Sequence, residues 1–134
     1  MSKLDLTIDH VSLSVSNLDR AKAFYTASLS SLGLEVVGEF SAEQSGTVGF
    51  VGFGRGRKGS FWVEESGQQS PSSHVCFRAQ SRADVRAFYD AAIAAGATDN
   101  GEPGIRMKYH PEYYAAFVRS PEGHNIEAVC FKPE

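Results

Sequence analysis

Residues 8–33, IDHVSLSVSNLDRAKAFYTASLSSLG, decide the fold, because their outline returns at residues 73–96 as SHVCFRAQSRADVRAFYDAAIAAG. His10 and His74, Val11 and Val75, Phe24 and Phe88, Tyr25 and Tyr89 all stand 64 positions apart without a gap. That spacing is longer than the roughly 20–50 residues of a solenoid unit and indicates a duplicated half-domain. The modules are expected at 4–66 and 73–132, joined by a Ser/Gly/Pro linker at 67–72 within a single domain, 1–134.

Two halves of this size would each be marginal alone, so they should share a core; 134 residues suffice for one domain without disulfide staples. A net charge of −3 and a pI near 5.8 give no general attraction to nucleic acid or to an anionic membrane. No apolar run approaches the roughly 18 residues of a membrane span, and MSKLDLTIDH lacks a signal-peptide core, so a cytoplasmic location is expected. Cys76 and Cys130 lie in strand-like runs without ligand spacing and are expected to be inert packing residues.

Residues 6–15 alternate, with Ile8, Val11, Leu13 and Val15 apolar and His10, Ser12 and Ser14 on the polar side, which predicts a strand with His10 opposite the core. Residues 20–32 carry Ala21, Phe24, Tyr25, Leu29 and Leu32 at helical spacing, and Gly33 suits the helix end. Strands follow at 34–40, 47–54 and 60–65, with 41–46 as a loop and 55–59 as a basic, solvated hairpin tip. Gly49, Gly52, Gly54 and Gly56 fall on strands and a hairpin, not on a turn opening a helix, which argues against a nucleotide loop. The second half repeats the order: strand 74–79, helix 82–95, little regular structure beyond one short strand in 97–107, then strands 113–119 and 125–131. The expected class is α+β, two β-α-β-β-β modules forming a curved mixed sheet around a cavity.

Each module brings a histidine on the less apolar face of its first strand, and the last strand brings Glu127 between Ile126 and Ala128. Folded around one sheet, His10, His74 and Glu127 can converge, and two imidazoles with a carboxylate suit a divalent zinc, nickel, manganese or iron ion. Open coordination positions would let such an ion polarise a carbonyl or acidify a water. His110, on the loop before a strand, could act at the mouth as acid or base; Tyr114, beside Tyr113, could donate to a substrate oxyanion. Trp62 and Phe50 are expected to line an apolar pocket wall or to pack in the core, and His124, of opposite parity to Glu127, to lie outside the cavity.

On IDHVSLSVSNLDRAKAFY, SHVCF and SPEGHNIEAV the chain resembles the vicinal oxygen chelate superfamily, which includes glyoxalase I, extradiol dioxygenases, fosfomycin resistance proteins and bleomycin-binding proteins. The last stretch is similar to that superfamily's D-P-x-G-x-x-x-E ending, with Ser120 in place of the aspartate. The resemblance implies that His10, His74 and Glu127 are the metal ligands and that the metal chelates two neighbouring substrate oxygens. It also implies a homodimer with sites completed across the interface. Glyoxalase I adds a glutamate from the first module's last strand, for which Glu64 and Glu65 are the candidates here. An offset of 64 matches Phe53 with Phe117 and sets Val63 opposite Glu127, whereas Gly33 against Gly96 gives 63 and would set Glu64 there. Val63 is the expected counterpart, with Glu64 in reserve as ligand or base, so a three-ligand site is anticipated.

Two functions follow from these residues and the resemblance. One is a glyoxalase-like metal-dependent enzyme acting on a small vicinal-oxygen substrate, with Glu127, Tyr114 and His110 as its catalytic groups and an extradiol-type dioxygenase as its near relative. The other is a non-catalytic protein of the bleomycin-resistance type that binds a drug or aromatic molecule.

Overall fold

A computed structural model of the chain describes residues 8–56, 58–66 and 71–134. The expected strand start at Leu6, most of the linker and Arg57 of the basic turn lie outside the described residues. The first module runs β1 (Val11–Val15), α1 (Leu18–Ser30), β2 (Glu35–Phe40), α2 (Ala42–Ser45), β3 (Phe50–Gly54) and β4 (Phe61–Glu65). The second runs β5 (His74–Arg78), α3 (Arg82–Ala94), β6 (Thr98–Ile105), β7 (Tyr114–Arg119) and β8 (Asn125–Cys130). Each module forms a four-stranded mixed sheet, in the orders β1-β4-β3-β2 and β5-β8-β7-β6. The first and last strands of each module pair in parallel and the remaining pairs are antiparallel. The repeated outline in the sequence thus corresponds to a repeated topology.

The two long helices, α1 and α3, start where the sequence supplies a cap: Asn17 accepts from the Arg20 N–H at 2.9 Å and Ser81 from the Asp84 N–H at 3.0 Å. Gly33 and Gly96 follow with positive φ, 83° and 112°, a backbone that a side chain would resist. Phe24 and Phe88, equivalent in the repeat, are both buried, each contributing about 2 kcal/mol through removal of the ring from water. The helices touch each other, and one hydrophobic cluster takes in side chains from both modules. Phe61 of the first sheet meets Phe77 of the second edge-on at 5.3 Å.

Polar ties reinforce that joint. Arg20 pairs with the buried Glu122 side chain at 2.7 Å, and the Arg55 guanidinium donates to the carbonyls of Leu32 and Arg78. Arg55, at the start of the basic turn, is exposed as expected of a solvated tip and bridges the modules as well.

Two elements differ from expectation. Residues 41–46 hold the short α2, closed by a reciprocal Ser41–Gln44 capping box and ended by Gly46 at φ 82°. β6 is eight residues long despite its glycine and proline content, because register shifts between Asp99 and Gly101 and between Gly101 and Gly104 absorb the irregularity. β6 is an edge strand, where Pro103 leaves no inner ladder position without a donor. Among the described residues no helix is long and apolar enough to cross a membrane.

Candidate active site

The parallel pairing of β5 with β8 sets Cys76 beside Glu127 and His74 one rung away beside Asn125, so all four share a face. Glu127 is only 1% exposed. Its Oε1 lies 2.8 Å from His74 Nε2, and its Oε2 accepts from the Tyr113 hydroxyl at 2.5 Å. These three residues, with Tyr109 and Phe117, line a cavity of about 240 Å³. Desolvation and the adjoining Glu127 carboxylate push the Tyr113 phenol well above its ordinary range, so it remains a donor. Burial and the same carboxylate raise the Cys76 thiol, which stays protonated and is no ready nucleophile.

His10 belongs to another cavity. Its Nδ1 lies 2.6 Å from Asp9 Oδ2, and Asp9 Oδ1 lies 2.5 Å from Lys58 Nζ. Hydrogen bonds from His10 and Lys58 hold the Asp9 carboxyl below its usual range. Asp9, His10, Ser12 and Lys58 line a space of about 480 Å³ together with Phe50, Trp62 and Glu64. Of the three expected metal ligands, the structure therefore brings together His74 and Glu127 and leaves His10 on the first module's face. Among the described residues no group of three or more His, Cys, Asp or Glu side chains is placed to hold a metal ion.

The pairing also corrects the register taken from sequence. Ser12 pairs with Trp62 as Cys76 pairs with Glu127, so the counterpart of Glu127 is Trp62, 65 positions earlier. Val63, the expected counterpart, is fully buried and points into the core. The Phe53–Phe117 match misled, since Phe53 is a core residue whereas Phe117 faces the cavity. The two helices end 64 positions apart, at Ser30 and Ala94, whereas the rung residues of the third strands, Gly52 and Phe117, stand 65 apart, so one residue more separates helix from rung in the second module. Glu64 does share the cavity face with His10, within 3.4 Å of Ser14 Oγ.

Tyr114 and His110, expected as catalytic groups, stand elsewhere. Tyr114 lies on the helix side of β7, where its hydroxyl accepts from Arg86 and its ring underlies the Arg82 guanidinium at 5.1 Å. Alternation along β7 makes this necessary: Phe117 faces the cavity, so Tyr113 shares its side and Tyr114 cannot. That parity was present in the sequence and would have selected Tyr113. His110 accepts from the Glu112 N–H at 2.9 Å and packs edge-on to Phe131, outside the residues that line the Glu127 cavity. His124 is not among the residues that line the Glu127 cavity; it is buried and accepts from the Ser73 N–H at 3.1 Å.

The model of the Glyoxalase/Bleomycin resistance protein/Dioxygenase superfamily matches residues 7–128. The chain belongs to this superfamily. Among solved structures, it is 31% identical to a glyoxalase/bleomycin resistance protein from Albidiferax ferrireducens T118, covering 93% of this chain and 98% of that one with a TM-score of 0.74. A glyoxalase/bleomycin resistance protein/dioxygenase family enzyme from Burkholderia phytofirmans PsJN shares 18% identity over 93% of this chain and 98% of its own, with a TM-score of 0.68. The E144Q glyoxalase I mutant from Zea mays shares 18% identity over 95% of this chain and 46% of its own, with a TM-score of 0.69. At 18% identity these last two speak for the fold alone. No curated protein matches the chain.

Proposed function

We propose that this superfamily member is a glyoxalase-like, metal-dependent enzyme acting on a small vicinal-oxygen substrate, with its reaction centre at His74, Glu127 and Tyr113. The observation that carries the proposal is the state of Glu127: a carboxylate 1% exposed whose two hydrogen-bond partners, an imidazole and a phenol, carry no permanent positive charge. A buried carboxylate calls for a cation, which a metal ion held by Glu127 and His74 would supply.

An imidazole nitrogen and a carboxylate oxygen 2.8 Å apart at one cavity make a donor set that suits zinc, nickel, manganese or iron. His74 and Glu127 would hold the ion, and His10 would be the third ligand, supplied by a second copy of the chain. The separation of His10 from the other two within one chain supports a homodimer that completes the site. A bound divalent ion would supply Lewis-acid polarisation of a substrate oxygen. The chain's own groups set the rest. Tyr113 fixes Oε2 and leaves Oε1 directed at His74 and the cavity, while the half-exposed His74 ring is where an entering oxygen makes contact. Trp62 at the position equivalent to Glu127 removes the carboxylate that is the fourth ligand in glyoxalase I, so the site is nearer to the three-ligand branches, extradiol dioxygenases included.

Metal analysis of protein purified without chelator, alongside His74→Ala, Glu127→Gln and His10→Ala, tests the proposal. About one ion per chain is expected in the wild type, lost in each variant, with a dimer in sedimentation velocity. Protein that stays metal-free after reconstitution would leave the second reading, a non-catalytic binder of an aromatic molecule, favoured by the roomier cavity beside Trp62.

A further inference from the structure

The basic turn between β3 and β4 does more than tie the modules together. Gly54, at the end of β3, has no space for a side chain, since a Cβ there would collide with the Lys58 carbonyl oxygen. So close a return of the backbone brings Arg55 and Lys58 to one place in spite of their like charge. The second module adds a third cation, Arg78, from the end of β5. With Leu34, Ser60 and Phe77, these three line a cavity of about 230 Å³ at the joint. It has Lys58 alone in common with the cavity beside His10 and no residue in common with the one beside Glu127.

The two guanidiniums are held by groups that leave their charge in place. Arg55 donates to the Leu32 carbonyl at 2.7 Å and to the Arg78 carbonyl at 3.4 Å, and Leu32 lies just past α1, whose C-terminal end favours a cation. Arg78 stands over the Phe131 ring, 5.0 Å from its centroid. Arg20, Lys22, Arg82 and Arg86 each pair with a carboxylate, whereas among the described residues Arg55 and Arg78, both exposed, pair with none. Lys58 is offset by Asp9 at 2.5 Å. The charge of two guanidiniums is thus concentrated at one cavity of a chain whose net charge is −3.

We infer that this cleft is a phosphate site, taking inorganic phosphate or the phosphate group of a small monoester between Arg55 and Arg78, with the Ser60 hydroxyl as a further donor. The guanidinium fork matches a pair of phosphate oxygens and keeps its charge at every physiological pH. Two forks balance the charge of about −1.5 to −2 that a phosphate monoester carries near neutrality, whereas a planar monocarboxylate satisfies one of them. Because each module supplies one arginine, the bound anion spans the joint and stabilises the folded chain. Since it shares no residue with the Glu127 cavity, the site stands whether or not that cavity holds a metal.

Protein labelled with nitrogen-15 is titrated at neutral pH with inorganic phosphate, and separately with phenyl phosphate and acetate, with sodium chloride keeping the ionic strength constant. Saturable shifts of the Arg55, Ser60 and Arg78 amide signals are expected, with a phosphate dissociation constant of about 1 mM or below and acetate at least about tenfold weaker. Phenyl phosphate binding more tightly than the free ion assigns the site to a monoester, and the reverse order to inorganic phosphate. Arg78→Gln, a change at an exposed side chain, should weaken phosphate about tenfold, whereas Lys22→Gln, which removes a positive charge from α1, should leave it within about twofold. His74→Ala should bind phosphate as the wild type does, even where it has lost metal; loss of phosphate binding in that variant would place the anion at the reaction centre and overturn the inference. Shifts that do not saturate, acetate equal to phosphate, or undiminished binding by Arg78→Gln would overturn it as well.

Discussion

The two modules share a topology and differ at one rung. In the second, Cys76, Glu127, Phe117 and Gly101 cross the sheet; in the first, Ser12, Trp62, Gly52 and Gly38 occupy the same places. A buried carboxylate gripped by an imidazole and a phenol stands where the other module has an indole on a glycine bed. Duplication preserved the backbone that aims a side chain at each cavity and let the chemistry of that side chain diverge, leaving one face acidic and hydrogen-bonded and the other flat and aromatic.

The largest effect expected from disturbing this correspondence concerns the register itself. Val63 and Ala128, one residue past the divergent pair, are both fully buried. Val63→Glu places a lone carboxylate in the core and should destabilise by about 3–5 kcal/mol, a large part of the roughly 5–15 kcal/mol of an ordinary domain. Trp62→Glu keeps its charge at the cavity and should lose about 1–3 kcal/mol of ring packing. Urea unfolding midpoints rank the two; if Val63→Glu proves the milder change, Trp62 is not the counterpart of Glu127.

That register marks the boundary of what the sequence disclosed. The β-α-β-β-β order, the glycine that ends the first helix and the side of its own strand on which each of His74 and Glu127 stands are all local, expressed within a few residues of a strand or helix. The offset between the last strands is not, because a single additional residue between α3 and the rung residue Phe117 shifts it and the chance coincidence of Phe53 with Phe117 concealed the shift. Likewise, symmetry placed His10 and His74 at equivalent positions but carried no information on whether the two sheets share a cavity. Helix contact and the Phe61–Phe77 joint set that arrangement, and both are long-range. Strand parity did distinguish Tyr113 from Tyr114, though two adjacent tyrosines made the choice easy to miss.

A middle-sized effect probes the grip on Glu127, which has no equivalent in the first module, where Val48 stands 65 positions before Tyr113. Tyr113→Phe deletes the donor to a buried carboxylate oxygen and should cost about 1.5–3 kcal/mol at neutral pH, the scale of a hydrogen bond to a charged group. Glu127→Gln in the Tyr113→Phe background should then cost less than it does alone, since the two positions are coupled. Additive losses across that double-mutant cycle would show that the phenol does not stabilise the carboxylate.

The smallest effect expected comes from the equivalent residues at the entry to each last strand, Gly59 two residues before β4 and His124 one residue before β8. Gly59 leaves room for the indole, whereas His124 turns inward and is fully buried. Burial lowers its pKa from the ordinary 6.5, with the nearby Glu122 carboxylate opposing the shift only in part. A folded-state pKa below the unfolded one means that the unfolded chain takes up the proton first as pH falls. The stability contributed by neutral His124 is therefore present above about pH 6.5 and is lost as acidity moves through the lower, folded value. His124→Gln cannot titrate, so its unfolding midpoint should fall less steeply than that of the wild type below pH 6.5 and run parallel to it above. The two proteins differ at this position alone, so identical slopes across that range would place the proton uptake elsewhere and free the turn from any part in acid sensitivity.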